Sequence, residues 1–138
     1  MGSNLLRRVG RPPIPPAKFH VIVLNKKTIT SLKIIDKESG EGFLRELVMI
    51  YVNQSQTMLE LLREHVAQWN PEGVEKTAHK LKGSSLNLGA DQLAQMLNDM
   101  ETRGRENHNS DCMALLKRIE AEFTEVCEEL QALPDDDG

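Results

Sequence analysis

Ala78-His79-Lys80-Leu81-Lys82-Gly83-Ser84-Ser85-Leu86-Asn87-Leu88-Gly89 is the stretch whose periodicity fixes how the rest of the chain folds. At about 100° per residue, Val74, Thr77, Ala78, Leu81, Ser85 and Leu88 fall within one sector of roughly 100°, the width of a helix face that packs on a core. His79 then lies on the opposite side, in solvent, flanked by Lys82, Gly83 and Leu86. That patch is odd for a purely structural helix. A mid-helix glycine costs about 1 kcal/mol relative to alanine, which an exposed position accepts only for some benefit. One benefit is space, because Gly83 removes the side chain that would crowd a partner approaching the imidazole one turn away.

The residue types around His79 narrow the chemistry. A neutral, exposed imidazole is nucleophilic near neutral pH and can attack a phosphoryl group. Lys82, three residues on, brings an ammonium to the same place as a point charge for phosphoryl oxygens. Zinc needs three or four converging ligands, whereas His79 has only Glu75 at i−4. Ser84 and Ser85 adjoin the imidazole in sequence but point to other sides of the helix, so no hydrolase constellation forms. His20 and His108 fall in linker and loop, and His65 reads as a helix-end side chain.

Working outward, Asn70, Pro71 and Glu72 mark the start of this helix: a capping side chain, a proline at the first helical position and an acid at the positive end. Gly89 is its left-handed stop. Upstream, Phe43, Leu47, Ile50, Tyr51, Gln54, Met58, Leu61, Leu62 and His65 recur at spacings of three and four and predict one long stripe over about six turns. Downstream, Ala90 to Arg103 predicts a helix with Leu93, Leu97 and Met100 inward, ending at Gly104. Ser110 is read as the cap of a last helix carrying Leu115, Leu116, Ile119, Phe123, Val126, Leu130 and Leu133, stopped by Pro134. A short covering helix is expected from Thr28 to about Ile35, suggested by Ile29, Leu32, Ile34 and Ile35 and ended near Ser39 and Gly40, with Val21 to Leu24 lying over the bundle. Short loops between long amphipathic helices favour antiparallel neighbours. The expected fold is therefore all-α: an antiparallel up-and-down four-helix bundle with an additional short N-terminal covering helix, over residues 21–133.

Composition agrees with this and bounds the function. At 138 residues there is room for one modest core, and the aliphatic residues are set among Glu, Lys, Arg and Gln, a mixture that favours helices. Residues 1–20 carry Arg7, Arg8, Arg11 and Lys18 with no acid, and four prolines, which reads as a basic, semi-rigid linker. The remainder has 13 basic against 21 acidic groups, net −8, and ends in an acidic tail at 134–138. An acidic domain does not present a surface for a phosphate backbone, so no nucleic-acid partner is expected. Cys112 and Cys127 fall in one helix about 22 Å apart, against about 7 Å for bridged Cα atoms, and are read as free thiols of a reducing cytoplasm. No apolar run approaches a membrane span.

At His79 the chain resembles the histidine-containing phosphotransfer (HPt) family of two-component phosphorelays. The family pattern of a small residue, His, any residue, Leu, Lys, Gly, Ser, Ser or Ala and a later Gly is matched by Ala78, His79, Leu81, Lys82, Gly83, Ser84, Ser85 and Gly89. Leu93-Ala94, Leu97 and Glu101, with Gly104-Arg105, fall where the family has its next helix and turn, and Phe43-Leu44 with Leu47 resemble its first long helix. The resemblance implies that His79 is the phosphoacceptor, that Lys82 assists the phosphoryl group and that Gly83 keeps the face accessible, with Leu86, Glu75 and Lys76 in the docking patch. It also implies a domain without kinase or phosphatase machinery of its own and without a bound cofactor. The partner receiver domain supplies the aspartate and a Mg²⁺ ion. The expected partners are response-regulator receivers and a hybrid sensor kinase, met by a cytoplasmic monomer. Two other readings fit the residues: a helical adaptor that is never phosphorylated, and the phosphoacceptor domain of a chemotaxis-type kinase. The Gly-Ser-Ser continuation favours the relay type over the latter.

Overall fold

The structure, a computed structural model, describes residues 23–40 and 42–133. Those residues form five helices: α1 (Lys26–Ser39), α2 (Phe43–Gln68), α3 (Pro71–Asn87), α4 (Asp91–Arg105) and α5 (Cys112–Ala132). Helices α2 to α5 close the expected up-and-down bundle, with α2 and α4 each packed between α3 and α5 and α1 laid against α2. The linker and tail expected at 1–20 and 134–138, and residues Val21 and Ile22, lie outside the described residues.

The helix α3 forms as its sequence dictates. The Asn70 side chain accepts from Gly73 N at 3.1 Å, Pro71 occupies the first turn, and Glu72 complements its positive end. Val74, Thr77, Ala78, Leu81 and Ser85 are buried, as is Leu88 just beyond. Gly89 ends the helix at φ +81°, and Ala90 N donates to Ser85 O at 2.9 Å. A side chain at Gly89 would also meet Thr28 Cβ at 3.1 Å and Asn25 N at 3.2 Å, because Asn25 N donates to Gly89 O at 2.7 Å. The start of α1 is thereby tied to the α3–α4 turn, and Val23 N donates to Glu129 Oε2 at 2.9 Å, so residues 23–25 cross that end of the bundle with Leu24 buried beneath.

Four boundaries or faces differ from expectation. The expected α2 stripe is only partly the buried one: its Tyr51 and Leu62 are buried and its Leu47 and Met58 pack against the core, but Leu44, Val48, Val52, Ser55, Leu59 and Val66 complete the inner face, while Ile50 and Leu61 are exposed at 45% and 44%. The apolar face of α2 is broad, and periodicity alone does not say which part of it turns inward. The helix α1 starts at Lys26, ahead of the expected Thr28, because Asn25 caps it, accepting from Thr28 N at 3.1 Å, and it runs to Ser39 before Gly40. Only Ile29 and Leu32 lean on the core; Ile34 and Ile35 are exposed. Ser110 does not cap α5: Asp111 precedes it at φ +59° with no side-chain bond, and Ser110 O is held by Arg103 Nη1 at 2.6 Å. Finally, α4 runs through Gly104 to Arg105. Gly104 is buried, and a Cβ there would sit 2.6 Å from Glu75 N and 2.7 Å from Pro71 O. It is a point of close backbone approach between α3 and α4, and its lack of a side chain reads misleadingly as a helix stop.

Candidate functional site

That close approach brings the last turns of α4 against the first half of α3, and the site is built across the seam. His79 projects from the outer face of α3 with its side chain 66% exposed. Its Nδ1 lies 3.0 Å from Oε2 of Glu101, a carboxylate on the buried face of α4 that retains only 7% exposure. The Lys82 ammonium, one turn along α3, pairs with Oε1 of the same carboxylate at 2.8 Å and donates to Asn98 Oδ1 at 3.0 Å. Arg105 Nη2 reaches Glu101 Oε2 at 2.9 Å, and its Nε pairs with Glu75 Oε2 at 3.2 Å. One buried acid thus gathers an imidazole, an ammonium and a guanidinium.

Burial disfavours the charged form of Glu101, but the bonds and charges of Lys82 and His79 outweigh it and hold the carboxyl below its usual range. An ionised acceptor facing Nδ1 requires that nitrogen to carry the proton of a neutral ring. The lone pair is then on Nε2, the nitrogen not turned to Glu101.

The predicted residues fall as follows. His79 and Lys82 are brought together, although Lys82 is half-buried and parked on Glu101 instead of standing free. Gly83 is exposed, and a Cβ there would meet nothing within 4 Å. No contact among the described residues therefore demands this glycine. Leu86 is 47% exposed on the same face. Glu75 is engaged by Arg105, and Lys76 pairs at 3.0 Å with Glu72 in solvent. Glu101, Arg105 and Asn98 were not predicted as site residues. The available signal was an acid at the position after Leu93 and Leu97 in the inward stripe of α4, where burial of a charge needs partners.

On the other side of His79 the surface changes character. Between α2 and α3 runs an open groove of about 740 Å³ with Met58 and Leu61 among its lining and Lys76 and Lys80 on its α3 wall. Among the described residues no helix is long and apolar enough to cross a membrane.

A helical bundle that offers one surface imidazole beside a half-buried lysine, with an open glycine on the same face, is a domain whose chemistry is completed by a second protein. The Hpt domain family model matches residues 46–135, and the chain belongs to that family. Its role is histidine phosphotransfer in two-component phosphorelays, where Hpt domains partner with kinases and response regulators. Among solved structures, histidine-containing phosphotransfer protein B (HptB) from Pseudomonas aeruginosa is similar with a TM-score of 0.74 at 24% identity, covering 82% of this chain and 95% of that one. Histidine-containing phosphotransfer protein ZmHP2 from maize has a TM-score of 0.73 at 19% identity, covering 80% and 82%. These likenesses support the fold. No curated protein sequence matches the chain.

Proposed function

We propose that His79 is the phosphoacceptor of this domain and that Nε2 is its reacting atom. The observation that carries the reading is the bond between His79 Nδ1 and buried Glu101, which orients an otherwise exposed ring and leaves the Nε2 lone pair for attack. In acceptance, Nε2 bonds to phosphorus as the P–O bond to a receiver aspartate breaks and its electron pair leaves on the carboxylate. Donation reverses this. Lys82 shifts from Glu101 toward the phosphoryl oxygens as negative charge gathers there. The Mg²⁺ belongs to the receiver, where it neutralises phosphoryl charge during in-line transfer.

The receiver docks over the exposed face of α3, with Leu86 on one side of His79 and Leu61 and Met58 in the α2–α3 groove on the other. Lys76 rims that contact, whereas Glu75 acts through Arg105. The cognate partners are receiver domains and a hybrid sensor kinase, and the domain works as a monomer in the cytoplasm. A phosphorylated receiver incubated with wild type and His79→Gln tests the assignment. The wild type gains one phosphoryl mass that is lost in acid and survives alkali, and the variant, with unchanged helicity, gains none. Equal labelling of both would overturn it, and binding without any transfer would favour the adaptor reading.

A further inference from the structure

Lys82 is held by more than the carboxylate beside His79. Its ammonium carries three N–H donors. The approach to Glu101 Oε1 at 2.8 Å is an ion pair that is not aligned as a hydrogen bond, and that buried oxygen accepts none. The aligned bond goes to Asn98 Oδ1 at 3.0 Å. Asn98 is an exposed residue one turn before Glu101 on α4, so the two acceptors stand at i and i+3 on the side that meets α3. The Thr102 hydroxyl takes the Asn98 main-chain carbonyl at 3.0 Å, which leaves the side-chain oxygen to Lys82. An acid would serve a purely structural pairing better, because a carboxylate bonds an ammonium about twice as strongly as an amide does. The next residue of α4 is such an acid, Asp99, yet it pairs with Arg103. Position 98 therefore directs the ammonium without binding it firmly.

We propose that Asn98 is a positioning residue for Lys82: its neutral amide draws the ammonium out of alignment with Glu101 and holds it at the mouth of the α3–α4 seam, from which it is released to the phosphoryl oxygens. This rests on the phosphoacceptor reading and on the role given to Lys82 above. Asn98 touches no reacting atom, and no bond is made or broken at it. Its bond to Lys82 lies at the surface, so water takes the place of the ammonium on departure and no buried group is left unsatisfied. A carboxylate at 98 would instead keep the ammonium in an ion pair. An alanine there would remove the competing acceptor, and the ammonium would turn onto buried Glu101 Oε1 in a charge-assisted bond. Either change commits Lys82 to α4, and either reaches the chemistry at His79 through Lys82 alone.

The test is a double-mutant cycle over wild type, Asn98→Asp, Lys82→Ala and the double variant. Each takes phosphoryl groups from a receiver domain loaded with acetyl phosphate and Mg²⁺, and rapid quench gives the rate as a function of receiver concentration. Asn98→Asp is expected to slow the saturated rate about three- to tenfold, while the half-saturating receiver concentration moves less than about twofold. In the Lys82→Ala background the same substitution changes the saturated rate less than about twofold. Equal slowing in both backgrounds, or none in wild type, overturns the proposal. A change confined to the half-saturating concentration overturns it too, since that marks a docking contact. Circular dichroism checks the fold, and should Asn98→Asp not fold, Asn98→Ala replaces it in the cycle with the same pattern expected. A rate that Lys82→Ala leaves unaltered would sink the role of Lys82 itself, and absence of transfer to His79 from any receiver would sink the phosphoacceptor reading. Those failures are distinct from one in which Asn98 and Lys82 act independently.

Discussion

Glu101 occupies a core position of α4 and yet bonds outward, to three groups on two helices. Sequence reading finds His79, Lys82 and Gly83 because they lie on one helix, where spacing alone makes them neighbours. It does not find Glu101, Arg105 and Asn98, because their proximity depends on how closely two helices pack. Lys82 illustrates the difference: its place beside His79 is legible, but its resting partner is not. Lys82→Ala is expected to slow phosphoryl acceptance roughly ten- to a hundredfold, less than the loss of a fully enclosed oxyanion donor, and to shorten the phosphohistidine lifetime. Rapid-quench transfer kinetics with far-ultraviolet circular dichroism check this, and unchanged kinetics would remove the assigned role.

Helix pairing is where the glycines separate. Gly83 faces open space, so Gly83→Ala is expected to raise stability by up to about 1 kcal/mol, while a bulky residue there blocks transfer without lowering helicity. Gly104 faces the α3 backbone, so Gly104→Ala must push α3 and α4 apart. The expected cost is about 1–3 kcal/mol, with slower transfer as Glu101 and Arg105 withdraw from His79. Thermal melts and labelling of the two alanine variants give opposite signs if the packing is as described. Two glycines that look alike in sequence thus have opposite surroundings. The same limit applies to α2, whose apolar face is wider than the part it buries. Which part turns inward depends on contacts between helices, such as the Tyr51 hydroxyl to Ser85 Oγ at 2.7 Å, which the periodicity of either helix alone does not encode.

For the whole molecule, the all-α architecture and the order of its helices are legible because each long helix carries its own apolar periodicity, although among the long helices only α3 starts at a side-chain cap. The buried ionisable groups set how the assembled bundle responds to pH. Burial pushes the Tyr51 phenol up to about 12 and the Cys127 thiol up to about 11. Each is neutral in the folded state and ionises at lower pH once unfolded, so the unfolded chain binds fewer protons over that interval and stability falls as pH rises. The contribution is full below about pH 9 and is lost between there and about 12, amounting to roughly 2 kcal/mol or more. Denaturant melts across this range check the slope. Tyr51→Phe is expected to flatten its upper part and Cys127→Ala its lower part.

The wide apolar face of α2, part buried and part exposed, has a consequence for how such a chain diversifies. Its inner residues answer to the core, where a truncation costs several kcal/mol, while exchanging outer residues such as Ile50 and Leu61 changes stability by about 0.5 kcal/mol or less. A duplicated copy can therefore drift in its outer stripe, lose an old acquaintance and acquire a new one, with the scaffold and the chemistry at His79 inherited unaltered. Insulated signalling lineages can arise in this way from one ancestral bundle.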